Sequence, residues 1–212
     1  MLPAVEIAFP AITDSLEGHC DCMYVDVKGL VTTGRGNLLE PATAAFELPW
    51  TVGTNGPAAT QAQITTEWLL VKSRQDLAGK PYPDRRAITT LRLSNDAIDA
   101  LTNLRLRGND AILSHRFVGW DSKPADAQFA IHLLAWACGP YFVFPKLVAA
   151  VEAEDYATAA DEIAISGEAT NPGIVPRNKL TRRLMQSAAR GLQPFDQLHY
   201  LDTAPAADED LS

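Results

Sequence analysis

The sequence predicts an α+β fold in which a small β-hairpin near the amino terminus is packed on a larger helical lobe. Three observations support this prediction. A run rich in β-branched residues and punctuated by glycines extends from Met23 to Gly36, apolar residues recur at helical spacing after residue 60, and 47% of the 212 residues are hydrophobic. This composition is typical of a globular chain and excludes disordered, collagen-like and coiled-coil classes.

The glycine-punctuated run predicts a hairpin with a definite register. A three-residue loop over 27–29, ending in a left-handed glycine, would pair Asp26 with Leu30 and Tyr24 with Thr32. Paired residues share a face, and faces alternate along a strand, so Tyr24, Asp26 and Thr32 would point the same way. A two-residue loop would place Thr32 on the opposite face.

The helical lobe is predicted from apolar spacing and from residues that start and stop helices. Residues 11–17 form a short first helix, with Pro10 in its first turn and Gly18 as its left-handed stop. Further helices are expected over 60–77, 94–116 with a break near Gly108, 124–138, 145–151, 156–165 and from 176 onward. Residues 51–57 and 79–86 are turn-rich and are predicted to be surface loops.

Charge and hydropathy narrow the functional class. The formal net charge of −8 disfavours nucleic-acid binding, which requires Lys and Arg to neutralise phosphates. No uninterrupted apolar stretch approaches a membrane span of about 20 residues, so we expect no stable membrane insertion. The amino terminus lacks a secretory signal pattern, and we therefore expect synthesis in the cytoplasm. A basic stretch at 177–190 is followed by an acidic tail at 193–212, as in a solvated helix with a frayed end.

Two carboxyl groups and a hydroxyl in the amino-terminal part suggest glycosidic chemistry. Hydrolysis of a glycosidic bond commonly uses one carboxyl group that donates a proton and a second that stays ionised and handles water. Glu17, at a helix end beside apolar residues, suits the first role because desolvation favours its neutral form. Asp26, on an open hairpin, suits the second, and the Thr32 hydroxyl could hold a water beside it.

A longer motif around these residues makes the signal specific. The segment reads Glu17-Gly18-x5-Tyr24-x-Asp26-x2-Gly29-x2-Thr32-x-Gly34-x-Gly36. It resembles the active-site segment of the T-even phage lysozyme (endolysin) family, with the same spacing of Glu, Asp and Thr. Weaker similarity at 93–101, 126–139 and 171–177 extends the resemblance to residues 8–40 and 90–192.

The resemblance implies a lysozyme-like fold and a function. The domain would span 1–192, with a hairpin lobe at about 10–45 and a helical lobe at about 60–192. The implied enzyme is a bacteriolytic hydrolase, an N-acetylmuramidase that cleaves peptidoglycan between N-acetylmuramic acid and N-acetylglucosamine with inversion. Glu17 would be the general acid, and Asp26 with Thr32 would position the attacking water, without metal or cofactor. Tyr24 would support the site. A basic residue of the helix predicted from 176 onward would lie near Glu17, and Arg177 is the first candidate, with Lys179 or Arg182 as alternatives.

Two other functions stay open at this point. A lytic transglycosylase also uses a glutamate acid but closes an anhydro ring without water. A protein of this fold can also be a non-enzymatic structural or wall-binding component. In each case the partner is peptidoglycan, reached in the periplasm or cell wall after release or by delivery with a phage particle or secretion apparatus. We expect a monomer.

Several residues are set aside as structural. Cys20 and Cys22 lack a second pair at zinc-ligand spacing, so they make a weak metal site. Cys138 is expected to be a buried small side chain, and His132 a satisfied core histidine. Trp50, in a proline-flanked loop, is the tryptophan with the best chance of contacting a sugar.

Overall fold

A computed structural model describes residues 1–200. These residues combine helices with a small sheet and a larger helical part, which confirms the mixed α and β class. Contacts within the chain divide it into two units. One unit comprises Thr13–Leu104, and the other comprises Met1–Ile12 with the chain from Arg105 onward. The predicted lobe boundaries stay predictions, and the last twelve residues of the expected acidic tail lie outside the described residues.

The Thr13–Leu104 unit contains the sheets. Strands β1, β2 and β3 form an antiparallel sheet in that order, and β4 pairs antiparallel with β5 in a second one. Two helices, α2 and α3, lie between β4 and β5 in sequence. The bounds are β1 Cys20–Val25, β2 Val31–Gly34, β3 Asn37–Leu38, β4 Thr51–Val52, α2 Gln61–Ser73, α3 Tyr82–Ala87 and β5 Leu91–Arg92.

The core of this unit lies between the hairpin and α2. Inward residues of β1 and β2 pack with Ile64 and Val71 of α2 and with Trp50, which is 2% exposed. Thr60 begins α2 with a capping box that includes Gln63. Glu67 of α2 is buried, and its carboxylate accepts hydrogen bonds from the backbone N–H groups of residues 90 and 91. A helix side chain thereby fixes the position of β5.

The other unit is built on a helix that is buried almost along its whole length. This helix, α5 Ala125–Cys138, packs with α8 Val175–Ala189, and the shorter α6 Pro145–Glu152 and α7 Tyr156–Glu162 complete the group. At the start of α5, Asp126 is 2% exposed and accepts hydrogen bonds from Ser187 Oγ (2.6 Å) and from the backbone N–H groups of His199 and Tyr200. Burial raises the pKa of Asp126 above its ordinary value.

The first helix is longer than predicted. Helix α1 spans Pro3–Glu17 instead of beginning near residue 11, and Pro10 lies in its interior. An interior proline removes a helix hydrogen bond and predicts a helix start. Val5 and Phe9, one turn apart, are both fully buried, so packing stabilises the turns that precede the proline. The predicted stop at Gly18 is confirmed, with φ at +75°.

The predicted break near Gly108 and the predicted loop at 79–86 were both wrong. Helix α4 runs unbroken over Asn95–Arg116, because the buried Leu106 and Leu113 hold it on both sides of the exposed glycine. Residues 82–87 form the short helix α3, which is held by side-chain contacts with Asp21, about sixty residues earlier in the chain. Residues 51–57 likewise include β4. Over residues 1–200, no helix has both the length and the hydropathy needed to cross a bilayer.

Candidate functional site

Glu17 is the last residue of α1, and its carboxylate lies against the turn between β2 and β3. The left-handed Gly18 follows it and donates its N–H to the carbonyl of Asp14 (3.1 Å), which ends the helix. Glu17 Oε2 is 3.6 Å from the position that a Cβ atom on Gly36 would occupy. Gly36 has φ at +74°, so a glycine suits both the turn and the neighbouring carboxylate.

The hairpin has the predicted register. The backbone N–H of Asp26 donates to the carbonyl of Leu30 (2.9 Å), and Tyr24 lies opposite Thr32. Gly29 takes the left-handed conformation, with φ at +78°, and closes the three-residue loop. Tyr24, Asp26 and Thr32 therefore belong to one face of the hairpin.

Asp26 has one occupied and one open carboxylate oxygen. Its Oδ1 accepts the backbone N–H groups of Lys28 (2.8 Å) and Leu30 (2.9 Å), which fixes the side chain on its own turn. Within residues 1–200, Oδ2 accepts no hydrogen bond from the protein. An oriented carboxylate with a free oxygen can bind a water molecule and take a proton from it.

Thr32 is more enclosed than an open groove position would be. The residue is 4% exposed, and its hydroxyl donates to the carbonyl of Leu30 at 3.3 Å. Because the hydroxyl proton is used in this way, the oxygen lone pairs are what Thr32 offers to a water.

Tyr24 is buried on the hairpin face that it shares with Asp26 and Thr32. Burial is the largest cause of its raised pKa, and the nearby Cys20, Glu17 and Asp26 raise it further, while Arg85 acts in the opposite direction. The phenol therefore stays neutral and lies within the fields of both acids. Arg85 of α3 stacks over the ring of Tyr24, with its guanidinium carbon 4.8 Å from the ring centroid.

A buried arginine organises the residues next to this site. Arg35 is 3% exposed and directly precedes Gly36. Its guanidinium pairs with Asp14 and with Asp99 (2.7 Å), and it donates to the hydroxyl of Thr102 (2.9 Å). Arg35 thus ties the β2–β3 turn to α1 and to the first part of α4, and the sequence prediction did not include it.

Arg177 occupies the first turn of α8 and is 6% exposed. It belongs to the unit that contains the chain from Arg105 onward, whereas Glu17, Tyr24, Asp26 and Thr32 all belong to the Thr13–Leu104 unit. Its role near Glu17 stays a prediction, as do those of Lys179 and Arg182.

No protein-family model matches the chain, and no curated protein matches its sequence. Function is therefore inferred from the side chains, their geometry and the sequence motif of residues 17–36.

The residues that had been set aside divide into confirmed and corrected cases. His132 is fully buried with Nε2 3.2 Å from Asp110, which confirms a core histidine, but Nδ1 is buried without a partner among residues 1–200, so the side chain is only partly satisfied. Trp50 is buried and donates its indole N–H to the carbonyl of Ala45 (2.9 Å), so it is not an exposed sugar platform. Cys138, expected to be buried, is exposed at the end of α5.

Cys20 and Cys22 are free, buried thiols with their sulfur atoms 3.4 Å apart. The hydrogen bond between them raises the pKa of Cys20 and lowers the pKa of Cys22. In the part of the chain that the structure describes, no three His, Cys, Asp or Glu side chains are grouped so as to hold a metal ion.

Proposed function

We propose that the protein is a peptidoglycan-degrading muramidase, which hydrolyses the bond between N-acetylmuramic acid and N-acetylglucosamine. The observation that carries this proposal is the hairpin register, because it puts Asp26 and Thr32 on one face of the hairpin together with Tyr24. The resemblance of residues 17–36 to the T-even phage lysozyme family suggests the substrate, and the lysozyme-like fold is part of the same proposal.

In the proposed reaction, Glu17 protonates the glycosidic oxygen while the bond from that oxygen to the anomeric carbon breaks. A water bound between Asp26 Oδ2 and Thr32 Oγ1 attacks the anomeric carbon from the other side and gives its proton to Asp26. Glu17 ends ionised and Asp26 ends protonated, and exchange with solvent restores both groups. The configuration at the anomeric carbon is inverted, with the two carboxyl groups about 6.5 to 9.5 Å apart in such enzymes.

A lytic transglycosylase is the first alternative. It would use Glu17 and would need no second carboxylate to handle water. The open oxygen of Asp26 favours hydrolysis, and mass spectrometry of the products separates the two reactions. Hydrolysis yields reducing muramic ends, whereas transglycosylation yields 1,6-anhydro ends.

The second alternative is a non-enzymatic structural or wall-binding protein. The deciding experiment is a turbidity assay on permeabilised Gram-negative cells with the wild-type protein and the Glu17→Gln variant. We expect clearing by the wild type and a loss of about 10²-fold or more in the variant, because general acid catalysis contributes this much.

Glu47→Gln, at an exposed position of the same unit, is the matched control and should lyse normally. Circular dichroism should show that both variants are folded. Near-normal lysis by Glu17→Gln would reject the general acid, and no lysis by the wild type would favour the non-enzymatic alternative.

A further inference from the structure

Helix α3 is fixed on β1 by residues other than Arg85. The hydroxyl of Tyr82 donates to Asp21 Oδ1 (2.8 Å), and the guanidinium of Arg86 donates to both oxygens of Asp21 at 3.2 and 3.1 Å. Arg86 and Tyr82 lie one turn apart on the same side of the helix. The attachment of α3 to the strand is therefore provided without the Arg85 side chain.

Arg85 differs from the other arginines of its unit. It lies on Tyr24, is partly exposed, and makes neither an ion pair nor a side-chain hydrogen bond with any residue from 1 to 200. Its Nε is buried without an acceptor. Between residues 13 and 104, all of which the structure describes, the ion-paired arginines are Arg35, Arg74, Arg86 and Arg92.

An arginine held in this way is suited to bind an anion. The guanidinium lies over the Tyr24 ring, with its carbon 4.8 Å from the ring centroid, and this contact restrains it while leaving N–H donors available for a planar acceptor. Because Nε is buried, the donors open to a substrate are those of the two Nη groups, from which a carboxylate can accept two parallel hydrogen bonds.

We propose that Arg85 binds a carboxylate group of the substrate and is therefore a specificity-determining residue. The inference rests on the proposed muramidase function. Peptidoglycan carries carboxylates in two places, on the peptide stems and, where a stem has been removed, on the lactyl group of muramic acid. Arg85 lies over Tyr24, and Tyr24 shares its face of the hairpin with Asp26 and Thr32. It lies in the part of the chain for which the sequence shows no resemblance to the lysozyme family.

The test compares Arg85→Gln with the wild type on solubilised glycan strands in three forms. The first form keeps its peptide stems, the second has lost them to an amidase, and the third keeps stems whose carboxylates have been converted to neutral amides. We expect Arg85→Gln to raise KM about tenfold on strands with free carboxylates, with kcat changed less than twofold, since one charge-assisted bond is lost. On neutralised strands the two proteins should have equal KM.

The first two forms distinguish the source of the carboxylate. A defect found only on strands with stems assigns the contact to the peptide, and one found only on stripped strands assigns it to the lactyl group, whose carboxylate is free only there. A defect on both forms shows that either carboxylate can bind. Arg85→Lys should recover part of the KM, because it keeps the charge but not the paired donors.

Arg86→Gln is the matched control. It should lower the thermal unfolding temperature by removing an anchor of α3, and its ratio of KM between free and neutralised strands should equal that of the wild type. An Arg85→Gln defect that is equal on all three forms would overturn the proposal and show a structural role. Absence of hydrolysis by the wild type on every form would instead reject the muramidase function itself.

Discussion

The carboxylate of Glu17 lies beside Gly36, with Oε2 3.6 Å from the place where a side chain on that glycine would begin. The two residues come from different elements, the end of α1 and the β2–β3 turn. The turn thereby lies against the proposed proton donor, and Gly36 contributes no side chain between them.

Gly36→Ala should lower the rate of lysis below that of Gly53→Ala, although the two variants should lose a similar free energy of unfolding. The new methyl group would lie in ordinary van der Waals contact with Glu17 Oε2 at 3.6 Å, so it need not displace the carboxylate but takes the space beside it where water or substrate would approach. Gly53→Ala is the matched control, since Gly53 has nearly the same φ (+73°) but nothing within 4 Å of its added Cβ. Both variants should lose about 1 kcal/mol in urea unfolding because of the left-handed backbone. Equal lysis by the two variants would contradict the proposed role of this turn.

Two substitutions of Asp26 should separate its structural role in the hairpin turn from its chemical role as the base. Asp26→Asn keeps a side-chain oxygen for the N–H groups of Lys28 and Leu30, so the hairpin should remain, while lysis should fall by about 10²-fold because the base is lost. Asp26→Ala should lose activity and also about 1 to 2 kcal/mol of stability. Turbidity and urea unfolding measure the two effects. As a control, Asp155→Asn, at a comparable cap on α7, should lyse normally. Full activity of Asp26→Asn would remove Asp26 from the mechanism.

Loss of the buried Arg35 should cost more stability than loss of an arginine in an exposed ion pair. Arg35→Met replaces the shared cation of Asp14 and Asp99 by a buried aliphatic side chain. We expect this to lower the free energy of unfolding by about 2 kcal/mol and not more, because both acids are partly exposed to water. Arg107→Met, which breaks an exposed pair with Glu6, should cost less than about 1 kcal/mol. The comparison is made by urea unfolding. Similar losses in the two variants would show that the Arg35 network adds little.

Stability should decline as the pH falls, and His132 and Asp110 should each contribute to a different part of that decline. Burial lowers the pKa of His132, so the unfolded chain takes up a proton below about pH 6.5 that the folded protein does not accept. For Asp110, burial is outweighed by hydrogen bonds from His132, Trp120 and the Met1 ammonium, and its pKa is lowered to about 2. Its contribution is therefore present above about pH 4 and is lost as the pH falls towards 2.

Thermal unfolding between pH 7 and pH 2 tests both contributions. His132→Gln should flatten the decline between about pH 6.5 and 4, and Asp110→Asn should flatten it between about pH 4 and 2. His115→Gln, at an exposed position, should leave the profile unchanged. A wild-type profile without slope above pH 4 would show that His132 is not the titrating group.

Thiol reactivity should separate the three cysteines. Cys138 is exposed, whereas Cys20 and Cys22 are buried against each other. Titration with a disulfide reagent should therefore modify one thiol rapidly in the native protein and three after unfolding. Cys138→Ser should abolish the rapid phase. Rapid reaction of a second thiol would mean that β1 opens under native conditions.

The hairpin could be predicted in detail because its determinants are local. The loop glycine fixes the turn, the turn fixes the register, and the register assigns Tyr24, Asp26 and Thr32 to one face. The start of α1 was missed because Pro10 is a strong local signal, while the buried Val5 and Phe9 that override it act through distant contacts.

The surroundings of the candidate site were missed for the same reason. Arg85 was assigned to a loop, since only its neighbours' bonds to Asp21, more than sixty residues away, make that segment a helix. Arg35 gave no periodic signal at all. The one local sign of a buried cation was its position between Gly34 and Gly36, in a tight turn of the segment that also contains the predicted site carboxylates.

The buried carboxylate of Asp126 has a practical consequence for anyone who shortens this protein. Its donors include the peptide groups of His199 and Tyr200, well beyond the last helix. A chain that ends with α8 would leave the desolvated Asp126 carboxylate with Ser187 as its remaining donor among those described. This carboxylate lies in the first turn of α5, the central helix of its unit. Truncation for crystallisation should therefore stop after Tyr200, and an affinity handle belongs beyond that point.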